Sequence, residues 1–116
     1  MPRFDDVRRV SLADALSPLP GARGERFREV FRHGSLHVEV YAPRDVDAQT
    51  PHTRDEVYVV AAGRGSFVTD EGALAFAVGD FLFAPAGMRH HFADFSHDLA
   101  LWVFFYGPEG GERSSF

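Results

Sequence analysis

The sequence predicts an all-β domain of eight to ten short strands, closed as a sandwich or barrel. Three observations carry this. Apolar and polar residues alternate with period two from Leu36 to Tyr41. Turn signals built on Gly, Pro and Asp recur roughly every 8–12 residues after Gly24. Only one short stretch, near the start, carries a helical pattern. The 116 residues fit one domain. Closure into a barrel suits that size, because it removes exposed strand edges and leaves an interior cavity.

Each element has its own local reason. Ser11 is a candidate N-cap with an acid three residues on, Asp14, and Ser17, Pro18 and Pro20 stop the helix after Leu16. Such a helix has two turns at most and needs tertiary support. Residues 25–32 follow as a strand with Phe27 and Phe31 on one side, ended by a turn at His33 and Gly34. Leu36, Val38 and Val40 alternate with His37, Glu39 and Tyr41 in the next strand. After a polar loop come strands at residues 56–62, 66–69, 74–78, 81–84, 90–95 and 99–106. The turns between them carry Gly63, Gly65, Gly72, Gly79 and Gly87. The last strand is apolar on both faces, as expected of a strand buried on both sides. Residues 1–34 form an N-terminal segment expected to pack on the barrel or swap onto a partner. Residues 35–107 form the barrel, and residues 108–116 are expected to be a mobile tail.

Composition removes whole classes of function. There is no cysteine, so no disulfide framework, zinc finger, iron–sulfur site or thiol nucleophile. All twelve basic residues are arginine, which excludes a Schiff-base or P-loop lysine. Isoleucine and asparagine are missing too, a pattern that points to codon bias rather than function. The net charge of −5 argues against nonspecific binding to nucleic acid or an anionic membrane. Residues 1–10 are charged, with no apolar core of a signal peptide, and no run approaches the ~20 apolar residues of a membrane span. The expected compartment is the cytoplasm. Six histidines remain, so a metal site would use nitrogen and oxygen ligands.

Two segments concentrate such ligands. His52 and Glu56 are four apart and share a face of an extended chain, and His90 opens a later strand after Pro85, Ala86 and Gly87. Two imidazoles and one carboxylate make a facial triad with open positions for substrate or dioxygen. Tyr58 has the parity of Glu56 and is read as a cavity-wall residue or a general acid or base. His91 points away from His90 along a strand, and His33 and His97 sit near turns.

Over residues 36–106 the chain resembles the cupin superfamily, in its small single-domain form. Gly79, Pro85, Gly87 and His90 match the second cupin motif, with Asp94 where asparagine is usual. Glu56 and Gly63 match the end of the first motif, and His52 matches the second histidine of its His-x-His pair. The first histidine is replaced by Thr50, and the leading glycine by Arg44. The resemblance implies a double-stranded β-helix, or jelly-roll, barrel. It implies one divalent metal ion (Fe, Mn, Ni or Zn) on His52, Glu56 and His90, with water, Gln49, His91 or His37 completing the set. It also implies a homodimer and a small-molecule ligand or substrate. Dioxygenase, isomerase and lyase chemistry all suit such a site. A non-enzymatic binding barrel and a metal-free structural barrel are the alternatives.

Overall fold

The computed structural model describes residues 8–113. Most of the charged start weighed against a signal peptide (residues 1–7) and the end of the tail (residues 114–116) lie outside the described residues. No helix among the described residues is long and apolar enough to cross a membrane.

The helix forms where its cap predicts. In α1 (Leu12–Leu16) the side chain of Ser11 accepts the amide proton of Asp14 at 3.1 Å. Its support is tertiary, since Ala15 is fully buried and α1 packs on the first two strands. Eight strands follow: β1 (Phe27–His33), β2 (Leu36–Tyr41), β3 (Asp55–Ala62), β4 (Gly65–Thr69), β5 (Gly72–Phe76), β6 (Phe81–Ala84), β7 (His90–Ala93) and β8 (Ala100–Tyr106). They make a five-stranded sheet, β1-β2-β8-β3-β6, facing a three-stranded sheet, β5-β4-β7, with antiparallel pairing throughout. The all-β expectation holds.

Two strands end earlier than their composition suggests, for reasons of turn chemistry. β5 stops at Phe76 because the Asp80 carboxylate takes the Ala77 amide at 2.8 Å and the Val60 carbonyl takes that of Gly79. β7 stops at Ala93 because Asp94 turns into the left-handed region, φ 50°. That conformation favours Asn and Asp among non-glycine residues, which accounts for an Asx residue at this motif position. Gly63 is required twice over. Its φ is 85°, and an added Cβ would lie 2.8 Å from the Leu99 Cα.

Cross-strand register sorts the large sheet into two faces. His37, Phe105, Glu56 and Ala84 lie in one row across β2, β8, β3 and β6, and Glu39, Val103, Tyr58 and Leu82 lie in the next. These rows face the barrel interior. The intervening row of Val38, Phe104, Val57 and Phe83 faces outward. Deep inside, Tyr58, Phe67, Phe76 and Phe92 form an aromatic cluster, with Tyr58 and Phe92 edge-to-face at 4.9 Å. Fully burying one such ring is worth roughly 1.5–3 kcal/mol. One half of the barrel is thus filled by aromatic rings, and polar residues gather in the other.

The turn at residues 85–87 is fastened to the start of β3. The Gly87 amide donates to the His52 carbonyl at 2.8 Å, and the Ala86 amide to the buried carboxylate of Asp55 at 3.0 Å. The second Asp55 oxygen accepts from the Glu112 amide at 2.7 Å, and the Gly110 amide donates to Thr53. Residues 110–112, grouped with the tail in the sequence, therefore hydrogen-bond to the same edge.

Candidate metal centre

Three side chains from different places in the sequence converge at the open end of the barrel. Glu56 projects inward from the second position of β3, and His90 from the first position of β7 on the opposite sheet. His52 sits in the loop before β3 rather than on the strand, and the chain bends at residues 53–54. The stapled turn, not a shared strand face, aligns it with Glu56. His90 Nε2 lies 3.1 Å from Glu56 Oε1, and His52 Nε2 lies 3.7 Å from the same oxygen. Their ligating atoms all fall within 4.8 Å of one another. The side chains of Glu56 and His90 are 2% and 1% exposed, whereas that of His52 is 34% exposed. The centre is dry on one side and open on the other.

Hydrogen bonding fixes what each atom presents. His90 Nδ1 faces the Met88 carbonyl at 2.9 Å, and a carbonyl only accepts. The neutral ring therefore carries its proton on Nδ1 and turns the Nε2 lone pair inward. Glu56 Oε1 is buried and has no hydrogen-bond partner, because its contact with His90 is not aligned as a hydrogen bond. Two acceptors thus face each other at 3.1 Å, with the Tyr58 hydroxyl 2.9 Å from His90 Nε2 as the adjoining donor, an arrangement that a cation relieves. The residues fit a divalent ion: imidazole nitrogen and carboxylate oxygen suit Fe, Mn, Ni and Zn. Without a metal, a proton is the substitute. Burial opposes charge on His90, but the Glu56 carboxylate and the Met88 carbonyl outweigh it and raise its pKa.

Tyr58 and Gln49 adjoin the triad. The Tyr58 hydroxyl lies 2.9 Å from His90 Nε2 and donates to Gln49 Oε1 at 3.1 Å. Burial, then the charge of Glu56, pushes its pKa up, so Tyr58 holds its proton. Gln49 Oε1 also lies 3.3 Å from His52 Nε2. The amide is oriented from behind, since its Nε2 donates to Asp47 Oδ2 at 2.6 Å. That oxygen also accepts the Phe92 amide at 2.8 Å, and Asp47 Oδ1 accepts from the Tyr41 hydroxyl. A cavity of about 500 Å3 opens beside His52, Glu56, Tyr58 and Gln49 and extends to Glu39 and Phe105. A second, of about 470 Å3, reaches His90 from the Asp47 side.

With this geometry in place, the family follows. The family model of the cupin domain matches residues 37–106. The chain belongs to the cupin family. The uncharacterized protein SCO3923 of Streptomyces coelicolor is 33% identical to this cupin over 98 residues, covering 83% of this chain and 93% of that one. A cupin 2 conserved barrel domain protein of Salinispora arenicola shares the fold with a TM-score of 0.64, at 17% identity over 87% of both chains. The DMSP lyase DddQ of Ruegeria pomeroyi superposes with a TM-score of 0.56 and 24% identity. That match covers 63% of this cupin and only 39% of the lyase.

The structure also separates the reserve ligands named in the sequence. Gln49 reaches the centre. His91 is exposed on the outer side of β7. His37 belongs to a different group, 3.2 Å from Glu39 and 3.5 Å from Glu29. Thr50, at the position of the missing histidine, is exposed, and its chain neighbour Gln49 brings an amide oxygen beside His52 instead. Asp47 and Asp55 had no signal in the sequence, because each acts by accepting backbone amides that only the fold brings near.

Glu39 gives a prediction about stability. Burial, followed by the charges of Glu56 and Glu29, pushes its pKa from 4.5 up to about 7. As pH rises from 4.5 to about 7, the unfolded chain releases this proton while the folded chain retains it. The fold is therefore progressively penalised through that window, with no penalty below it and the full penalty above. Glu39→Gln removes the penalty. In metal-free protein, the melting-temperature difference between Glu39→Gln and wild type should grow through this window and then level off. A difference independent of pH would contradict the assignment.

Proposed function

We propose that this cupin holds one divalent metal ion through His52, Glu56 and His90, with Gln49 as the fourth protein group. In this reading it acts on a small organic molecule by isomerase or lyase chemistry. The observation that carries the reading is the orphaned Glu56 Oε1, facing the lone pair of His90 in a buried site. In a purely structural barrel, His90 would instead have to carry a proton against Glu56. A bound ion supplies a Lewis acid that stabilises negative charge developing on a substrate oxygen. The chain supplies the rest. Tyr58 keeps a proton at its hydroxyl beside the centre, oriented by Gln49, and serves as the acid. Phe105 and Val103 line the cavity with apolar surface and limit water. The proton-bearing Tyr58 is the reason for preferring proton-transfer chemistry to dioxygenase chemistry. A lyase among the structural neighbours supports that class.

The test is metal content after purification without chelators. Wild type should carry about one ion per chain, and the folded H52A/H90A double variant should carry none. Wild type without stoichiometric metal, or a double variant that matches it, would remove the basis of the reading.

The homodimer implied by the cupin resemblance belongs to the same proposal. Phe81 and Phe83 on β6 are 65% and 44% exposed, and register sets them beside Val59 and Val57 on the outward face. A second copy of the chain would cover this surface. Sedimentation velocity should show a dimer that F81E/F83E converts to monomer. A monomeric wild type would contradict it.

A further inference from the structure

The cavity beside the candidate metal centre has a second polar pole. Glu39 lies two strands from Tyr58 in the same inward row, with Val103 between them. Strand spacing sets their backbones about 10 Å apart. The carboxylate lines the 500 Å3 cavity together with Phe27, Tyr41 and Phe105. Among the described residues its sole ion-pair neighbour is His37, and no arginine pairs with it.

His37 makes no aligned hydrogen bond to Glu39. The Arg32 guanidinium, which can only donate, faces His37 Nδ1 at 3.4 Å. Neutral His37 therefore accepts on Nδ1 and carries its proton on Nε2, 3.2 Å from Glu39 Oε2. That nitrogen has no aligned acceptor, so the contact leaves most of the accepting capacity of Glu39 unused. Arg26 also lines the cavity, and its Nε donates to the Ala42 carbonyl at 2.7 Å rather than to Glu39. The interior thus presents two carboxylates, Glu39 and the orphaned Glu56, among aromatic rings. Glu56 is accounted for by the metal reading, and Glu39 is not.

We propose that Glu39 is the specificity-determining residue of this cavity and selects a small organic cation, a protonated amine, with the other end of the ligand directed toward His52 and Glu56. The aromatic lining adds to this preference, because ring faces attract a desolvated cation. A neutral or anionic group placed against Glu39 would leave the carboxylate uncompensated. The assignment rests on the metal-centre reading for the orientation of the ligand, but the cation preference can be measured separately.

β-Alanine and butyrate have the same number of heavy atoms and share a carboxylate, but only the first carries an ammonium group. Their binding to zinc-loaded protein at mildly alkaline pH, followed by calorimetry or ligand-observed NMR, tests the proposal. Wild type should bind β-alanine at least about tenfold more tightly than butyrate, the size expected of a charge-assisted hydrogen bond. Glu39→Gln should remove or reverse that order, since apolar walls alone favour butyrate. Zinc titration of the same variant checks the fold and should still give one ion per chain. Equal binding of the two probes by wild type, tighter binding of butyrate, no detectable binding of β-alanine, or an unchanged preference in Glu39→Gln would overturn the proposal. Absence of zinc binding by wild type would defeat the metal reading instead, and the probe comparison on metal-free protein would still decide the role of Glu39.

Discussion

At alkaline pH, where His90 is neutral, Glu56→Gln should make the metal-free protein more stable while it destroys the metal centre. In the wild type, Glu56 Oε1 and His90 Nε2 are two acceptors 3.1 Å apart in a buried site. A glutamine amide offers an N–H at that position and turns the opposition into a hydrogen bond. Satisfying a buried polar group recovers about 1–3 kcal/mol. For a domain of this size that is a rise of several degrees in Tm. The same change removes the only anionic ligand of the triad, so zinc affinity should fall by about 100-fold or more. Thermal melts of metal-free protein and zinc titrations report the two effects. Opposite signs are the mark of a residue retained for function at the expense of stability. A variant that loses stability and keeps its zinc affinity would show that Glu56 is a structural residue.

Asp47→Ala should be the most damaging single change outside the triad. Asp47 receives three donors: the Tyr41 hydroxyl on β2, the Gln49 amide in the loop and the Phe92 amide on β7. It ties the loop to both sheets. Truncation strands those donors in a half-buried site at a cost of about 2–4 kcal/mol, counting each at the low end of the usual penalty. It also frees Gln49, whose oxygen lies 3.1 Å from the Tyr58 hydroxyl and 3.3 Å from His52 Nε2. Loss of such an outer partner typically lowers metal affinity about 10–100-fold. The direct control is Gln49→Ala, which should lower zinc affinity with a much smaller fall in Tm, because it removes no cross-sheet tie. Equal melting temperatures for Asp47→Ala and wild type would contradict the role given to Asp47.

The sequence and the structure agree where local chemistry decides, and differ where distant groups meet. The strand at residues 36–41 was legible because its alternation is complete, and the helix because Ser11 and Asp14 form its cap. The end of β5 was not, since the apolar residues Ala77 and Val78 hide a turn made by Asp80. For the site, the spacing of Glu56, Gly63, Gly79, Pro85, Gly87 and His90 was sufficient to bring Glu56 and His90 together. His52 was placed near Glu56 for the wrong local reason: an extended chain was expected, and the structure uses a bend fastened through Gly87. The replacement of a histidine by Thr50 left the fourth group open in the sequence. Only the fold shows that Gln49 lies beside His52, because Asp47 sets the amide from the opposite side. Glu39 was visible as one of the polar residues alternating with Leu36, Val38 and Val40, but its inward register and the absence of an arginine partner required the barrel.

The most direct test of the metal reading is anomalous diffraction from crystals grown without chelators, recorded at the Mn, Fe, Ni and Zn edges. The account predicts one peak per chain bounded by His52 Nε2, Glu56 Oε1 and His90 Nε2, at about 2.0–2.2 Å from each. No peak at any edge, with Glu56 hydrogen-bonded to protonated His90, would contradict it.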